Sequence, residues 1–297
     1  MLEKGSDKPV RPGWVARRAR RQVARKAWRG KDEPLTEEDW RALLEVNNSL
    51  SARAVHRLLL ALPRGPRCGM CGAPFSGLGA NLVRPLGYRQ STMNPNVCAV
   101  CVEASPPGGF RGRIGVLFAD LRGFTAASEG RDPYETSEVL KRFYACAENV
   151  LFPEAVIDKL IGDEVMAIYL PQVVEGGSPD LGLGAARRQT SAAILRHARG
   201  LLSAVGYGTS VGPFAELGIG ADYGEAYVGN IGDRAVFDFT AVGDVVNTAS
   251  RLQGRAGPGE ILLSDRVVEA LDGPVGDPIE LTLKGKADSQ LAYRVAT

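Results

Sequence analysis

The fold of this chain is decided by the stretch Arg113-Ile-Gly-Val-Leu-Phe-Ala-Asp-Leu-Arg-Gly-Phe-Thr125. Residues 113–119 form a short apolar run, which is typical of a strand buried in a sheet. Asp120 ends that strand. Gly123 allows the chain to turn sharply into a helix, whose unpaired N–H groups would face a phosphate. The stretch therefore predicts a buried strand that carries a carboxylate to one edge of a sheet.

A second carboxylate follows at the tip of a predicted hairpin. Residues 155–161 and 164–170 are predicted strands separated by Gly162 and Asp163, and a glycine in the first position suits a tight hairpin. If these strands neighbour the first one, the carboxylates of Asp120 and Asp163 converge. Mg²⁺ binds few protein carboxylates and takes its other ligands from phosphates and water. The pair predicts a divalent-metal site, although each aspartate taken alone is more simply explained as a helix cap or a turn residue.

Strands and helices alternate through the rest of the chain. Asp132, Pro133 and Glu135 open a helix with an N-cap, a proline in the first turn and an early acid. The remaining predicted elements are a helix over 181–204, strands at 215–221, 225–231 and 236–241, and a helix over 243–255. This order predicts an α+β, ferredoxin-like β-α-β-β-α-β domain with extra strands at its C-terminal end. Such a fold hosts many functions and does not name one.

Four sequence blocks in this region resemble the class III adenylate and guanylate cyclases, the nucleotidyl cyclases. They are Phe118-Ala-Asp-Leu-Arg-Gly-Phe-Thr125, Lys159-Leu-Ile-Gly-Asp-Glu164, Gly243-Asp-Val-Val-Asn-Thr-Ala-Ser-Arg-Leu252 and Leu283-Lys-Gly-Lys286. Their order and internal spacings match that family, and the resemblance covers roughly residues 111–296. We therefore expect a class III nucleotidyl cyclase domain over residues 111–297.

The resemblance implies metal-binding and phosphate-binding roles near the first strand. The metal ligands of the family correspond to Asp120 and Asp163, with the backbone carbonyl of Leu121 as a further ligand. Two Mg²⁺ or Mn²⁺ ions per active site would be held there. The substrate-binding turn of the family corresponds to Gly123, Phe124 and Thr125.

The resemblance also implies which residues read the nucleotide. Lys159 corresponds to the purine-reading lysine of adenylate cyclases, where guanylate cyclases usually have glutamate. Asn247 and Arg251, one helical turn apart, correspond to the pair that orients the ribose and holds the charged phosphorus in the transition state. Lys284 corresponds to the residue that binds the triphosphate. Thr240 departs from the pattern, because many cyclases have an aspartate there that accepts from the adenine amino group, whereas a hydroxyl can both accept and donate. ATP preference therefore rests mainly on Lys159.

These roles imply an adenylate cyclase that converts ATP to 3′,5′-cyclic AMP and pyrophosphate by two-metal-ion catalysis in intracellular signalling. The family builds its site between two domains, with the metal ligands on one and the lysine, asparagine and arginine on the other. Because this chain carries both sets, the resemblance implies a homodimer with two equivalent sites. Two alternatives remain open: a guanylate cyclase, which Lys159 disfavours, and a catalytically silent nucleotide-binding regulatory protein.

Two cysteine pairs precede the predicted domain. Cys68 and Cys71, like Cys98 and Cys101, have the spacing with which thiolates grip one metal ion, and two such pairs complete a tetrahedral Zn²⁺ site. The spacer between the pairs is longer than in common zinc ribbons, so an iron–sulfur cluster or free cysteines remain alternatives. The fifth cysteine, Cys146, is predicted to be an inert core thiol. The pattern predicts a zinc-ribbon-like module that either braces the domain or regulates it.

The N-terminal part of the chain divides by composition. Residues 1–31 hold eleven Lys or Arg against two acids, which predicts a disordered or loosely helical basic tail; a weak electrostatic contact with a membrane or nucleic acid is the alternative. Residues 32–104 are predicted to contain a helical segment, 36–62, followed by the cysteine module. Residues 105–110 are rich in proline and glycine and are predicted to be a linker.

Composition excludes several other classes of protein. The net charge of +2 argues against a polycation whose principal partner is nucleic acid. No apolar run reaches the ~18 residues of a membrane span, so no transmembrane segment is predicted, and the N-terminal region lacks the apolar stretch of a signal peptide. A cytoplasmic protein is therefore expected. The two histidines, His56 and His197, are interpreted as surface or packing residues, and no Ser-His or Cys-His nucleophilic site is predicted.

Overall fold

The computed structural model of the chain describes residues 36–37, 58–59, 61–62, 66–68, 71–91, 97–102, 108–152, 154–171, 174, 182–233, 236–283 and 289–295. The predicted basic tail, residues 1–31, lies outside these residues, as does most of the predicted helix 36–62. Of that range, Thr36, Glu37, Leu58, Leu59, Ala61 and Leu62 are described, and all of these except Thr36 and Leu62 are helical.

The cysteine-bearing segment contains only short regular elements among its described residues. These are helix α1 (Gly77–Val83), a 3₁₀ turn (Arg84–Leu86) and helix α2 (Ala99–Val102). Two isolated β-bridges lie next to the cysteine pairs, one joining Arg67 to Pro74 and the other joining Gln90 to Cys98. The described part of the segment is therefore organised around its cysteines.

The rest of the described chain forms one mixed sheet with helices on both faces. Its strands are β1 (Gly108–Leu121), β2 (Val156–Ile161), β3 (Glu164–Tyr169), β4 (Leu217–Asp233), β5 (Val236–Val242), β6 (Ile261–Ser264), β7 (Asp277–Leu281) and β8 (Gln290–Val295). Its helices are α3 (Phe124–Ser128), α4 (Pro133–Leu151), α5 (Leu183–Val205), α6 (Asp244–Arg255) and α7 (Asp265–Val268). The strands run in the order β2-β3-β1-β4-β6-β8-β7, and β5 pairs with β4. The sequence β1-α4-β2-β3-α5-β4 is the predicted β-α-β-β-α-β arrangement, so the α+β fold class is confirmed.

Two local sequence signals act as predicted. Asp132 caps helix α4, because its side chain accepts a hydrogen bond from the Tyr134 N–H at 2.8 Å. Gly162 takes φ +60° at the β2–β3 turn, a conformation that a side chain would strain. The hairpin tip is thereby fixed with Asp163 in the second position of the turn.

Strand β4 is longer than the sequence predicts. The chain forms one strand over 217–233 where two strands, 215–221 and 225–231, are expected. The glycines in this stretch serve close packing and do not mark a break. A Cβ on Gly224 would lie 3.3 Å from the Cβ of Val245, and a Cβ on Gly220 would lie 2.5 Å from the Ala249 carbonyl oxygen. Helix α6 thus lies directly on the glycine positions of β4.

Strand β1 begins at Gly108, inside the range 105–110 that the sequence predicts to be a linker. Gly109 pairs with Gly229 in the sheet, and a Cβ on Gly109 would lie 2.9 Å from the Val228 carbonyl carbon. The two glycines therefore allow close approach of β1 to β4. Residues 103–107 lie outside the described residues.

The sheet has two apolar faces, because successive side chains of a strand point to opposite sides. Helices α4 and α5 cover one face, where Leu117 and Val165 belong to the same buried cluster as Phe143 and Ile194. Helix α6 and the cysteine-bearing segment cover the other face. The cluster on that side includes Val116, Phe118, Met166, Val245, Ala249, Cys68, Val83 and Val97. The cysteine-bearing segment therefore shares one apolar core with the sheet.

Two residues interpreted as packing residues lie near helix α5. His197 is 5% exposed, and its Nδ1 lies 3.1 Å from the Tyr169 hydroxyl, so its packing role is confirmed. Cys146 is only half-buried, and its thiol donates to the Ala204 carbonyl at 3.4 Å. The prediction of a core thiol was wrong in this respect, because Cys146 lies beside the buried stripe of α4, next to Ala147.

Candidate active site

The two predicted metal-binding carboxylates lie at one edge of the sheet. Strands β1 and β3 are antiparallel neighbours, and their register places Asp120 opposite Glu164. The Leu121 N–H donates to the Asp163 carbonyl oxygen at 3.1 Å, which holds the hairpin tip against the end of β1. The structure therefore brings Asp120 and Asp163 together, and it adds the carboxylate of Glu164, which the sequence analysis missed although it directly follows Asp163.

The electrostatics of this edge favour a bound cation. Burial raises the pKa of Asp120, the nearby charge of Asp163 raises it further, and Arg122 opposes both effects. Burial also raises the pKa of Glu164, as do the charges of Asp120 and Asp163. Carboxylates that repel one another in a half-buried place are relieved by a divalent cation, and hard cations prefer oxygen ligands. Asp120 and Asp163 thus fit the divalent-metal site of the prediction.

Arg122 is a second residue that the sequence analysis missed. Its guanidinium lies 3.4 Å from the Asp120 carboxylate and donates to the Gln253 carbonyl oxygen at 2.5 Å. The side chain lies against Gly218, where a Cβ would be 2.7 Å from one of its terminal nitrogens. Arg122 therefore ties the carboxylate edge to the last turn of helix α6. The sequence offered only its place inside the first block as a signal.

One side chain of the turn after β1 packs against the apolar core. Gly123 adopts φ +68° and precedes helix α3, as the predicted sharp turn requires. Phe124 is half-buried and packs against the cluster on the α4–α5 face, whereas Gly123 and Thr125 are exposed. The Phe124 ring therefore stabilises the core, and Gly123 and Thr125 are the exposed positions of this turn.

Helix α6 presents the predicted asparagine–arginine pair. Asn247 is exposed and Arg251 is half-buried, one turn apart on the same helix. The opposite side of the helix is buried through Val245, Ala249 and Leu252. That burial against β4 fixes which side of α6 carries the polar pair.

A buried ion pair supports the start of α6. Asp222 of β4 is 0% exposed and accepts a hydrogen bond from the Ser264 hydroxyl at 2.6 Å. The guanidinium of Arg266 donates to both of its carboxylate oxygens and lies 3.7 Å from Asp244 in the first turn of α6. Burial raises the pKa of Asp222, and Arg266 opposes this rise. The network joins β4, α6 and α7.

One predicted base-reading residue, Thr240, contacts the residue that precedes the other, Lys159. Thr240 lies on β5, opposite Gly229, and its hydroxyl donates to the Asp158 carboxylate at 2.8 Å. Asp158 directly precedes Lys159, at a register shift in β2. The backbone of Lys159 pairs with Met166, and its side chain lies outside the described residues, as does all of Lys284. The structure thus places Thr240 against the strand position next to Lys159.

The four cysteines before the sheet form a compact cluster. Their sulfur atoms all lie within 4.8 Å of one another, and individual pairs are 3.6 Å apart (Cys71 and Cys98) and 3.9 Å apart (Cys68 and Cys101). Four sulfurs bonded tetrahedrally to one Zn²⁺ ion at ~2.3 Å are about 3.8 Å apart. The cluster therefore has the dimensions of a single-ion site.

The protonation chemistry of the cluster agrees with metal binding. Burial opposes ionisation of Cys68, but hydrogen bonding with the thiols of Cys101, Cys71 and Cys98 holds the pKa of Cys68 well below its usual value. Hydrogen bonding to Cys68 raises the pKa of Cys101 well above its usual value. The N–H groups of Cys71 and Cys98 point at the Cys68 sulfur, at 3.4 and 3.2 Å. A cation would let the remaining thiols ionise as well.

The α+β sheet with two carboxylates at one edge and an asparagine–arginine pair on the adjoining helix is the frame of a nucleotidyl cyclase domain. Residues 110–293 match the family model described as the adenylate and guanylate cyclase catalytic domain, and the chain belongs to this family. It is 31% identical over 192 residues to an adenylate cyclase of Anabaena cylindrica, an alignment that covers 62% of this chain and 36% of that protein. It is 29% identical over 161 residues to adenylate cyclase 1 of Rhizobium meliloti (strain 1021), covering 52% of this chain and 23% of that protein.

Solved structures of cyclases resemble this chain in fold. The guanylyl cyclase Cya2 aligns with a TM-score of 0.51 and 28% identity, over 64% of this chain and 94% of that one. The adenylyl cyclase CyaB from P. aeruginosa aligns with a TM-score of 0.50 and 24% identity, over 63% and 95%. Both kinds of cyclase therefore share the fold, and fold alone does not select the nucleotide. Among the residues that the structure describes, no helix has the length and apolar character needed to cross a membrane.

Proposed function

We propose that this protein is an adenylate cyclase that converts ATP to 3′,5′-cyclic AMP and pyrophosphate in intracellular signalling in the cytoplasm. One observation carries the proposal: a single chain of this family combines a carboxylate edge, Asp120 and Asp163, with the pair Asn247 and Arg251 on α6. A protein that only senses nucleotides has no physical need for both sets. The roles assigned to these residues follow the family resemblance.

In this proposal some residues bind the metal ions and orient the nucleotide, and another stabilises the charge that develops in the transition state. Asp120 and Asp163, with the Leu121 carbonyl, would hold two Mg²⁺ or Mn²⁺ ions, which when bound lower the pKa of the ribose 3′-hydroxyl and neutralise the leaving pyrophosphate. Asn247 orients the ribose by hydrogen bonding. Arg251 places its guanidinium where charge develops on the α-phosphoryl group, the kind of interaction that accelerates phosphoryl transfer by about 10³–10⁵-fold at other sites.

ATP is the proposed substrate because of the two base-reading positions. Lys159 donates to an adenine ring nitrogen, whereas a guanine N–H would be repelled by an ammonium group. Thr240 accepts from the adenine amino group, and Lys284 binds the triphosphate with main-chain groups of Gly123 to Thr125. The relatives named adenylate cyclase support this choice, and guanylate cyclase is the alternative that the similarity to Cya2 favours.

The proposed assembly is a homodimer with two shared sites. In each site one chain supplies Asp120 and Asp163, and its partner supplies Lys159, Asn247 and Arg251. This division follows the family pattern and the presence of both sets in one chain.

For the cysteine cluster we propose one structural Zn²⁺ ion, bound by the four cysteines of the two pairs. A four-iron cluster spreads its thiolates over separate irons, so its ligand sulfurs lie further apart than the 4.8 Å limit within this group. Zn²⁺ binds four thiolates tetrahedrally, with distances between the sulfur atoms that match those in this cluster. The ion would brace the segment that packs on the sheet.

The deciding experiment is a cyclase assay of purified protein with ATP or GTP and with Mn²⁺ or Mg²⁺. We expect cyclic AMP from the wild type and none from Asp120→Ala or Arg251→Ala, whereas the exposed-site variant Arg199→Ala keeps full activity. An equimolar mixture of the two inactive variants should recover about a quarter of the wild-type rate, because half of the randomly formed dimers carry one intact site.

Each other outcome excludes one part of the proposal. If the mixture stays inactive while both variants remain folded and dimeric, the shared site is wrong. If the wild type binds nucleotide but forms no cyclic product with either substrate and either metal, the catalytic proposal is wrong and the silent sensor replaces it.

A further inference from the structure

The Asp158–Thr240 contact joins residues 82 positions apart, on strands β2 and β5. Strand β5 does not neighbour β2 in the sheet, so this side-chain contact joins two strands that share no backbone hydrogen bonds. Asp158 lies at the register shift between Ile157 and Lys159, where an extra residue changes the direction of the side chains that follow. Asp158 is 2% exposed. A buried carboxylate in a strand needs a reason, because placing its charge in an apolar region is costly.

The chemistry of the contact fixes what the threonine can do. A hydroxyl has one hydrogen to donate and two lone pairs that accept, whereas an ionised carboxylate only accepts. The Thr240 hydroxyl donates to the Asp158 oxygen at 2.8 Å, so its single hydrogen is already used. Toward any other group, Thr240 then acts only as an acceptor.

An acceptor of this kind distinguishes the two purines. Adenine carries an amino group at position 6, which donates, and guanine carries a carbonyl oxygen there, which accepts. An acceptor-only Thr240 therefore pairs with adenine and faces the guanine oxygen with lone pair against lone pair. A threonine free to rotate would instead donate to guanine and discriminate weakly. The hydrogen bond to Asp158 therefore removes the ambiguity between donor and acceptor that a free hydroxyl at position 240 would bring.

We propose that Asp158 is a positioning residue for nucleotide specificity: it accepts the hydrogen bond that the Thr240 hydroxyl donates and so makes that side chain an obligate acceptor for the amino group of ATP. The proposal rests on the proposed adenylate cyclase function, because it uses Thr240 as the base-reading residue. Asp158 itself does not touch the nucleotide. It gives a threonine the hydrogen-bonding character that an aspartate has at the corresponding position of other cyclases.

The test is the ratio of kcat/KM for ATP to kcat/KM for GTP in four proteins: wild type, Asp158→Ala, Thr240→Val and the double variant. We expect Asp158→Ala to lower the ratio about tenfold, because the Thr240 hydroxyl is then free to donate one hydrogen bond to the guanine oxygen. Thr240→Val removes the acceptor and should lower the ratio by a similar factor. In the Thr240→Val background, Asp158→Ala should have no further effect on the ratio, because Asp158 acts only through the threonine.

Two further variants separate specificity from stability. Val156→Ala shortens a buried side chain on the same strand, so it should lower stability and leave the ratio unchanged. Asp158→Leu fills the same space without an acceptor and is the substitute if Asp158→Ala does not fold. A ratio that stays at the wild-type value in folded Asp158→Ala or Asp158→Leu overturns the proposal. So does a change of ratio by Asp158→Ala that persists in the Thr240→Val background.

Equilibrium binding distinguishes failure of this inference from failure of the proposed reaction. Fluorescent MANT-ATP and MANT-GTP are titrated into the same variants with Mn²⁺ present, and the ratio of the two Kd values should change by about the same tenfold factor. A wild type that makes no cyclic nucleotide but shows these binding ratios refutes the reaction and supports the role of Asp158. A wild type that cyclises ATP selectively while both Asp158 variants bind with unchanged ratios refutes only the role of Asp158.

Discussion

Gly220 on β4 allows helix α6 to approach the sheet closely, and an alanine there should push the helix away. A Cβ at this position would lie 2.5 Å from the Ala249 carbonyl oxygen and 2.5 Å from the Gln253 Cα. The Gln253 backbone nitrogen would lie closer still, and ordinary contacts begin at 3.4 Å. Relief of the overlap therefore requires a helix shift of more than ~0.9 Å, the difference between 3.4 and 2.5 Å. All three contacted atoms belong to helix backbone, so no side-chain rotation can absorb the change.

The shift would reach the candidate active site because α6 carries Asn247 and Arg251. A displacement of about 1 Å in a positioning element lowers the rate of a phosphoryl-transfer step by about 10²-fold. Overpacking in a tight core also lowers the free energy of unfolding by about 1–3 kcal/mol. We therefore expect Gly220→Ala to lose about 10²-fold in cyclase rate and to melt at a lower temperature.

The matched control is at Gly254, which lies in helix α6 itself. Gly254→Ala has no heavy atom within 4 Å of the added Cβ, and alanine favours a helix over glycine by about 0.5–1 kcal/mol. It should retain the cyclase rate and melt at the same or a higher temperature. Cyclic AMP production and thermal unfolding are measured on both variants. If Gly220→Ala keeps the wild-type rate and melting temperature, α6 does not contact β4 in the way described.

Three other perturbations test the supporting structure. Asp222→Asn removes the charge that pairs with the partly exposed Arg266 and should lower the free energy of unfolding by about 1–3 kcal/mol in urea titrations. Asp277→Asn, on an exposed strand end, should change it little, and equal values for the two refute a stabilising ion pair. Burial lowers the pKa of His197, so the unfolded chain binds a proton near pH ~6.5 that the folded chain does not. As the pH falls through ~6.5, the folded state should therefore lose stability. His197→Gln should reduce that loss in thermal denaturation, and an unchanged pH dependence contradicts the assignment. Cys98→Ser should abolish bound zinc in metal analysis and lower the melting temperature, and Cys146→Ser should do neither; a metal-free wild type refutes the zinc proposal.

The sequence predicted the parts of the site that local patterns encode. The apolar run before Asp120, the glycine-first turn before Asp163 and the helix with Asn247 and Arg251 are each readable within about ten residues, because strand, turn and helix signals are local. The order of strands and helices then followed from the βαββαβ pattern. The metal and nucleotide roles depended on the family resemblance.

The sequence did not predict what depends on distant contacts. The strand break expected within β4 was wrong because a glycine signals a turn and a close helix contact equally well. Arg122 and Asp158 stayed unnoticed because their partners, Gln253 and Thr240, lie 131 and 82 positions away. Such pairs become visible only when the sheet has brought the strands together.

The shared core of the cysteine-bearing segment and the sheet affects how this protein can be divided. The family match begins at residue 110, but Cys68, Val83 and Val97 belong to the same buried cluster as Val116 and Phe118 on the sheet. A truncation at the family boundary would leave this apolar surface open to water, where it promotes self-association. We therefore expect the unit that recombination or an expression experiment can move intact to start before the cysteines.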